Sequence, residues 1–438
     1  MNDFTNKDTL KLGLLMFALF FGAGNLIFPP LVGQLAGGNV WIAIAGFLIT
    51  GVGLPFLGVV AVAMSGSQLR DLAGKAHPLF GLVFAIIVYL ALGPLFAVPR
   101  TATVTFEMGL APFTSDSAER IALLLFTFLF FAVTAWLSMK PSKLVDRFGN
   151  VLTPVLLALV AFIVTIGIIR PAGTIGPPQE PYVQNPFIKG FIEGYLTMDA
   201  MAALVFGIVV INAIKAKGVS DKKVTLAITM KAGAFAVAGL CLVYAGLAYL
   251  GTTSRLVAPN AANGGEVLTQ LVYSLLGTTG QVLLGLAVLL ACLTTSVGLT
   301  SSCAAFFSDT FPKFSYRLVV LIICIFSAFI ANIGLTQLIH ITLPVLIGIY
   351  PLAIVLITVS FFHNWFNGHR EVYLFALAAA GVVGFADMLK AFGLPIAPVT
   401  DVLRHLPLYE QGIGWILPAI VFAGIGYVIA TVQKGARP

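Results

Sequence analysis

The sequence predicts an all-α integral membrane protein of about twelve transmembrane helices, arranged as two inverted five-helix repeats with two peripheral helices. Three observations predict this class. The chain is apolar almost throughout, its basic residues alternate between the two ends of successive spans, and two apolar spans five apart carry polar interruptions.

Hydrophobic residues make up 59% of the 438 positions and charged residues only 9%, with a mean hydropathy of +1.03; a soluble domain carries about 25% charge. Most apolar segments exceed the roughly 18 to 20 residues that cross about 30 Å of hydrocarbon, and none shows the roughly ten-residue alternation of barrel strands. Spans are expected to start near Leu10, Val40, Pro78, Glu119, Val145, Phe187, Thr225, Thr279, Phe314, Leu335, Glu371 and Gly412. The N-terminus leads straight into the first span, so no cleaved signal peptide is expected. Cys241, Cys292, Cys303 and Cys324 lie in apolar spans without metal-ligand spacing and are read as packing residues.

Sorted by side, 16 of the 24 basic residues fall together: Lys7, Lys11, Arg70, Lys75, Lys140, Lys143, Arg147, Lys215, Lys217, Lys222, Lys223, Lys313, Arg317, Arg370, Lys434 and Arg437. By the positive-inside rule that side, with both termini, is cytoplasmic. The net charge of +7 thus orients the chain in the lipid bilayer rather than binding nucleic acid. No Walker A loop, HExxH pair or G-x-S-x-G elbow is present, so common enzyme chemistry lacks its parts. The whole chain, 1–438, reads as one membrane transport domain: repeats over 10–169 and 187–362, then two helices over 371–433. The stretch 170–186, rich in Pro and Gly, is an outer loop, and 266–276 is expected to form a short surface helix.

The first span is the organising element. Gly22, Gly24 and Asn25 interrupt it, and Pro29 and Pro30 follow. Glycine lacks a side chain and proline an amide donor, so the backbone there is expected to leave helical geometry. Freed carbonyls and amides persist at membrane depth only beside protein or a polar cavity. The sixth span has its own interruption at Gly194, Tyr195, Thr197 and Asp199. Spans separated by an odd number run oppositely, the relation of inverted repeats that bring two broken helices to one midplane site. There, half-helix starts offer amides and a positive dipole end to an anion, and half-helix ends offer carbonyls to a cation. An amino acid zwitterion suits both. Gly22, Ala23, Gly24 and Asn25 with Leu196, Thr197 and Met198 are expected to hold its charged groups, and Tyr89, Phe96, Ala202 and Phe206 to line an aliphatic pocket that no unpaired charge faces.

In the eighth span hydroxyls cluster at Thr294, Thr295, Ser296, Thr300, Ser301 and Ser302. A hard cation takes several oxygens. Thr294, Thr295 and the Ala291 carbonyl, joined by the Ala18 and Phe21 carbonyls before the first break, would supply five; hydroxyls serving as helix glue are the other reading. Arg100 and Glu107 lie seven apart in the third span and are read as gating or coupling charges paired with another helix. Asp199 is either a coupling carboxylate or the cap of the second half-helix.

The segments GAGNLIFPP, LGPLFAVPRTATVTFE, GYLTMDA and ACLTTSVGL together resemble the branched-chain amino acid:cation symporter family (BrnQ, LIVCS) over nearly the whole chain. That family is similar in architecture to LeuT-type transporters of the amino acid-polyamine-cation superfamily, whose second sodium site uses Ala-x-x-Thr-Ser on the eighth helix; Ala291, Thr294 and Thr295 match it, with Thr295 in place of Ser. The resemblance implies uptake of leucine, isoleucine and valine through a bacterial cytoplasmic membrane, driven by sodium or, alternatively, protons. It implies no cofactor beyond the coupling ion and no obligate protein partner. A broader neutral amino acid transporter is the nearest alternative. An ion channel is further off, since two localised breaks suit one occluded site better than a continuous pore.

Overall fold

The computed structural model describes residues 4–66, 68–115, 117–139 and 152–435. Val145, the expected start of the fifth span, and Lys140, Lys143, Arg147 and Arg437 lie outside them. Among the described residues the regular structure is helical, and eight helices are long and apolar enough to cross a membrane, or nine with one bent pair counted as a single span. The apolar helices Thr153–Ile169 and Tyr316–Ala331 are shorter.

In chain order the helices are α1 (Asn6–Phe20), α2 (Ala23–Ala36), α3 (Val40–Leu48), α4 (Leu54–Ser65), α5 (Leu69–Gly74), α6 (Pro78–Leu90), α7 (Ala97–Gly109), α8 (Glu119–Ser138), α9 (Thr153–Ile169), α10 (Pro186–Glu193), α11 (Asp199–Lys215), α12 (Lys222–Thr252), α13 (Gly264–Thr310), α14 (Tyr316–Ala331), α15 (Leu335–Phe361), α16 (Arg370–Ala391), α17 (Ala397–Leu403) and α18 (Ile416–Gly435). Local chemistry sets many of the starts. Thr5 and Asp8 form a reciprocal cap on α1, Asp221 and Ser315 accept the Val224 and Leu318 amides that open α12 and α14, and prolines stand in the first turn of α4, α6, α9 and α10, where a missing amide costs nothing. The expected surface helix over 266–276 is the first part of α13; it begins at Gly264, and Gly277, at φ 61° and ψ −152°, ends it.

Close backbone approaches reveal how the helices are paired. A Cβ added to Gly13 would lie 2.8 Å from the Ala232 carbonyl oxygen, and one on Gly33 only 1.8 Å from that of Ala248, so α1 and α2 run alongside α12 in the same direction. Phe47 meets Tyr244 edge-on with ring centroids 5.6 Å apart, and Gly233 faces the Phe56 ring, so α3 and α4 run the opposite way along the same helix. The chain therefore reverses between α2 and α3, at Gly37 with its φ of 49°. The mirror arrangement recurs with α10 and α11, which run in the direction of α3 and α4: Cβ atoms on Gly190 and Gly207 would meet the Ala43 carbonyl oxygen at 1.8 Å and Val62 Cβ at 2.6 Å. Thus α1 and α2 stand to α12 as α10 and α11 stand to α3 and α4. Small residues allow these approaches, which in lipid supply much of helix association.

The outward faces carry the apolar load. Leu242 is 75% exposed and Trp136 71%, values that would be costly in water and that suit hydrocarbon. At one end the 264–276 segment rests on α2 and α7, because Gly264 abuts the Ile27 carbonyl and Gly265 the Met108 side chain. The 170–186 stretch folds over the same end, where the Gln179 amide donates to the Leu35 carbonyl at 2.8 Å and the Gly38 amide to that of Gly176 at 3.1 Å.

Candidate functional site: the meeting of two helix interruptions

At the first interruption Gly22 is extended, with φ −120° and ψ −158°. Its amide, which in a continuous helix would reach the Ala18 carbonyl, donates instead to Asn25 Oδ1 at 3.0 Å. Carbonyls at the end of α1 are thereby released, and α2 starts with amides facing the gap. At the second interruption a 3-10 turn over Gly194–Thr197 leads to Met198, which adopts a left-handed conformation (φ 65°). The helix axis bends by 46° there.

Arg100 of α7 closes the second interruption. Its Nη1 donates to the Leu196 carbonyl at 2.6 Å and Nη2 to that of Thr197 at 3.1 Å, while the guanidinium lies 5.5 Å from the centre of the Phe28 ring. The expected ion pair with another helix is corrected: among the described residues Arg100 makes no salt bridge, and its partners are backbone carbonyls released by the break. Nor does it act with Glu107, which accepts from Asn263 Nδ2 at the opening of α13. Leu196 gives its carbonyl to Arg100, as Thr197 does, but of the two only Thr197 lines the cavity between the breaks.

The two interruptions are joined directly. Asn25 Nδ2 donates to Asp199 Oδ2 and to the Tyr244 hydroxyl of α12, and all three residues are buried. Asp199 is the first residue of α11, and Met198 stands at the cap without a side-chain bond; the capping role considered for Asp199 is therefore not the one it plays. Thr197 Oγ1 takes the Asp199 amide instead, at 3.3 Å. Sequence reasoning missed Tyr244, one of two tyrosines in an otherwise apolar helix, where nothing local sets it apart from Tyr249.

Between the breaks lies a cavity of about 20 Å³, whose lining includes Gly22, Ala23, Gly24, Asn25, Thr197, Met198, Ala202 and Phe206. Arg100, which makes no salt bridge among the described residues, also lines it with Asp199, which corrects the expectation that no unpaired charge faces the site. Tyr89 and Phe96 are absent from its wall; Leu92, Ala97 and Thr101 of the same span take their places, with Leu19, Phe20 and Leu299. Tyr89 instead stacks on Phe306 at 4.0 Å, in a separate cavity of about 750 Å³ that includes Asn212, Ser302 and Asp309. Leu19 borders both cavities. A volume of 20 Å³ holds about one water, so nothing larger fits between the breaks in this arrangement of the helices.

The oxygen cluster falls beside the first break. A Cβ on Gly22 would sit 2.7 Å from Thr295 Oγ1, and that hydroxyl is buried without a protein partner. Thr294 donates to the Ala291 carbonyl at 2.8 Å, which leaves its oxygen lone pairs available. Phe21 is the residue at which α1 gives way to the gap. The first interruption therefore has an orphaned buried hydroxyl beside Gly22.

Many apolar spans around interrupted helices define a multi-span membrane transport protein. The chain belongs to the branched-chain amino acid transport protein family, whose model matches residues 5–433. Among similar proteins, the branched-chain amino acid permease BraB of Bacillus subtilis is 49% identical over 424 residues, 97% of this chain and 95% of that one. The branched-chain amino acid transport system 2 carrier protein of Pseudomonas aeruginosa is 48% identical, covering 99% and 97%, and the permease BrnQ of Escherichia coli 41%, covering 97% and 95%. These relatives are permeases and carriers, which sets the chain among transporters rather than enzymes. In fold it is similar to Mhp1, a nucleobase-cation-symport-1 family transporter in a closed conformation with bromovinylhydantoin bound (TM-score 0.64, 14% identity, 97% of this chain and 92% of that one). It is also similar to MhsT in complex with L-phenylalanine (TM-score 0.56, 16% identity, 97% and 98%).

Proposed function

We propose that this protein is a secondary symporter that carries leucine, isoleucine and valine inward across a bacterial cytoplasmic membrane, coupled to sodium, by alternating access. The observation that carries the proposal is the direct bond between Asn25 and Asp199, which gathers both helix interruptions around one small cavity. Twelve crossings follow if α1–α2, α3–α4, α6–α7 and α10–α11 each count as one span and the short α5 and α17 as none, and the exchanged pairings of α12 and α3–α4 support repeats over 10–169 and 187–362, with 371–433 peripheral. The basic bias then sets both termini in the cytoplasm. A cysteine placed at Lys217 should resist an impermeant reagent in intact cells.

Amides at the start of α2 suit the substrate carboxylate. Ala202 and Phe206 offer apolar surface to its side chain. Thr294, Thr295 and the carbonyls of Ala18, Phe21 and Ala291 form the cation set. The buried Asp199 favours a second reading, in which protons rather than sodium are the coupling ion. Breadth of substrate is the other variable, because a broader neutral amino acid transporter would use the same backbone groups. Competition against labelled valine uptake tests the aliphatic site. Leucine and isoleucine should compete strongly, alanine weakly and lysine not at all; equal inhibition by alanine, lysine and leucine would contradict it.

A further inference from the structure

We infer that Arg100 receives the carboxylate of the transported substrate, an inference that rests on the proposed amino acid site between the two breaks. Three observations combine. First, Arg100 lines the cavity while only 4% exposed, so its charge is removed from water. Second, among the described residues no carboxylate lies within ion-pair distance of it; Asp199 shares its Oδ2 with Asn25 and Tyr244. Third, Nε–H is buried and has no acceptor, although both terminal nitrogens are engaged.

A buried guanidinium that touches no anion and keeps an orphaned donor is unfavourable unless something later supplies both. The planar fork of arginine matches a carboxylate, which can take two parallel hydrogen bonds from it. Gly24 leaves this side of the guanidinium unobstructed by a side chain, since a Cβ there would lie 2.7 Å from Nη2. The carbonyls of Leu196 and Thr197 hold the guanidinium in place before substrate arrives, so little ordering remains when it binds.

Asp199 lines the same cavity. The carboxylate of a zwitterion would then face the guanidinium and its ammonium the carboxyl group of Asp199, and the site selects α-amino acids over the amines or amides that share their side chain. Helix-end amides alone would offer the carboxylate only partial charge. Arg100 makes loss of the substrate's negative charge expensive.

The test compares leucine, leucinamide and 3-methylbutylamine as ligands of the purified full-length protein, by thermal shift and by inhibition of labelled leucine uptake in proteoliposomes. Wild type should bind leucine and discriminate against the other two. R100Q should weaken leucine binding about 10- to 100-fold, as loss of a charge-assisted contact implies, and should bring the leucine-to-leucinamide ratio close to one. R100K, which keeps the charge without the fork, is read on the same ratio and should lie between; it decides the matter if R100Q is not monodisperse. A wild-type ratio retained in R100Q, or in R100K where that variant decides, whatever the loss of rate, overturns the inference and leaves Arg100 as a prop for the broken helix. Failure of wild type to bind leucine at all would instead overturn the proposed function.

Discussion

Asn25 Nδ2 donates to Asp199 Oδ2, a bond between residues 174 apart that ties the first helix interruption to the second. The same amide group also reaches the Tyr244 hydroxyl, and Asn25 Oδ1 accepts the Gly22 amide. One side chain thus satisfies three buried polar groups on three helices.

Removing that side chain leaves all three without it. Asn25→Ala should lower stability by about 1 to 3 kcal/mol for each group left unpaired, read as a large fall in thermal unfolding temperature in detergent. Asp199→Asn keeps a carbonyl oxygen in place and should unfold close to wild type, yet it removes a charge from the cavity and should abolish uptake. Transport at the wild-type rate by the Asp199→Asn protein would remove Asp199 from the substrate and coupling machinery.

The paired glycines make a separate prediction about architecture. Gly33→Ala and Gly190→Ala each drive a methyl to within 1.8 Å of a backbone carbonyl oxygen on the neighbouring helix, so each should cost at least about 1 to 3 kcal/mol by overpacking. Gly424 has nothing within 4 Å of an added Cβ, and Gly424→Ala should stay within about 0.5 kcal/mol of wild type. Similar thermal shifts for all three variants would contradict the close pairing of α2 with α12 and of α10 with α3.

The cation set predicts an asymmetry between adjacent threonines. Thr295 has a buried hydroxyl with no protein partner beside Gly22, whereas Thr294 already bonds the Ala291 carbonyl. Thr295→Ala should raise the half-saturating cation concentration for leucine uptake about tenfold, the loss of one charged contact; Thr294→Ala should also raise it, but by less. An unchanged cation dependence in both would make the hydroxyls helix glue.

Ala202 lines the cavity, so its enlargement should act on side-chain size. Each buried methylene contributes about 0.8 kcal/mol, and Ala202→Phe should exclude leucine before valine while leaving recognition of the charged groups intact. Equal loss of both substrates in competition assays would place Ala202 outside the aliphatic pocket.

Much of this arrangement could be read from the sequence because its signals are local. Glycine, proline and asparagine inside an apolar run mark the first break, and helix starts at Val40, Pro78, Glu119 and Leu335 coincide with their expected positions. Several of the errors come from the third span. Tyr89 and Arg100 are eleven residues apart, nearly three whole turns, so a straight helix sets them on one face. The chain instead widens into a π turn over Ala91–Leu95, with Gly93 outside helical geometry, and the faces before and after it are rotated. Tyr89 consequently meets Phe306 while Arg100 meets the breaks. The partners of Arg100 were illegible for another reason: intramembrane charges usually find a side chain of opposite sign, and released carbonyls appear only once the second break is folded.

The central claim, ion-coupled uphill transport, is tested most directly by labelled leucine in proteoliposomes with sodium and proton gradients imposed separately. Chemically unaltered leucine should accumulate inside above its external concentration under an inward sodium gradient, and the accumulation should vanish when that gradient is collapsed. Leucine that only equilibrates under either gradient, or that is recovered chemically altered, would contradict the account.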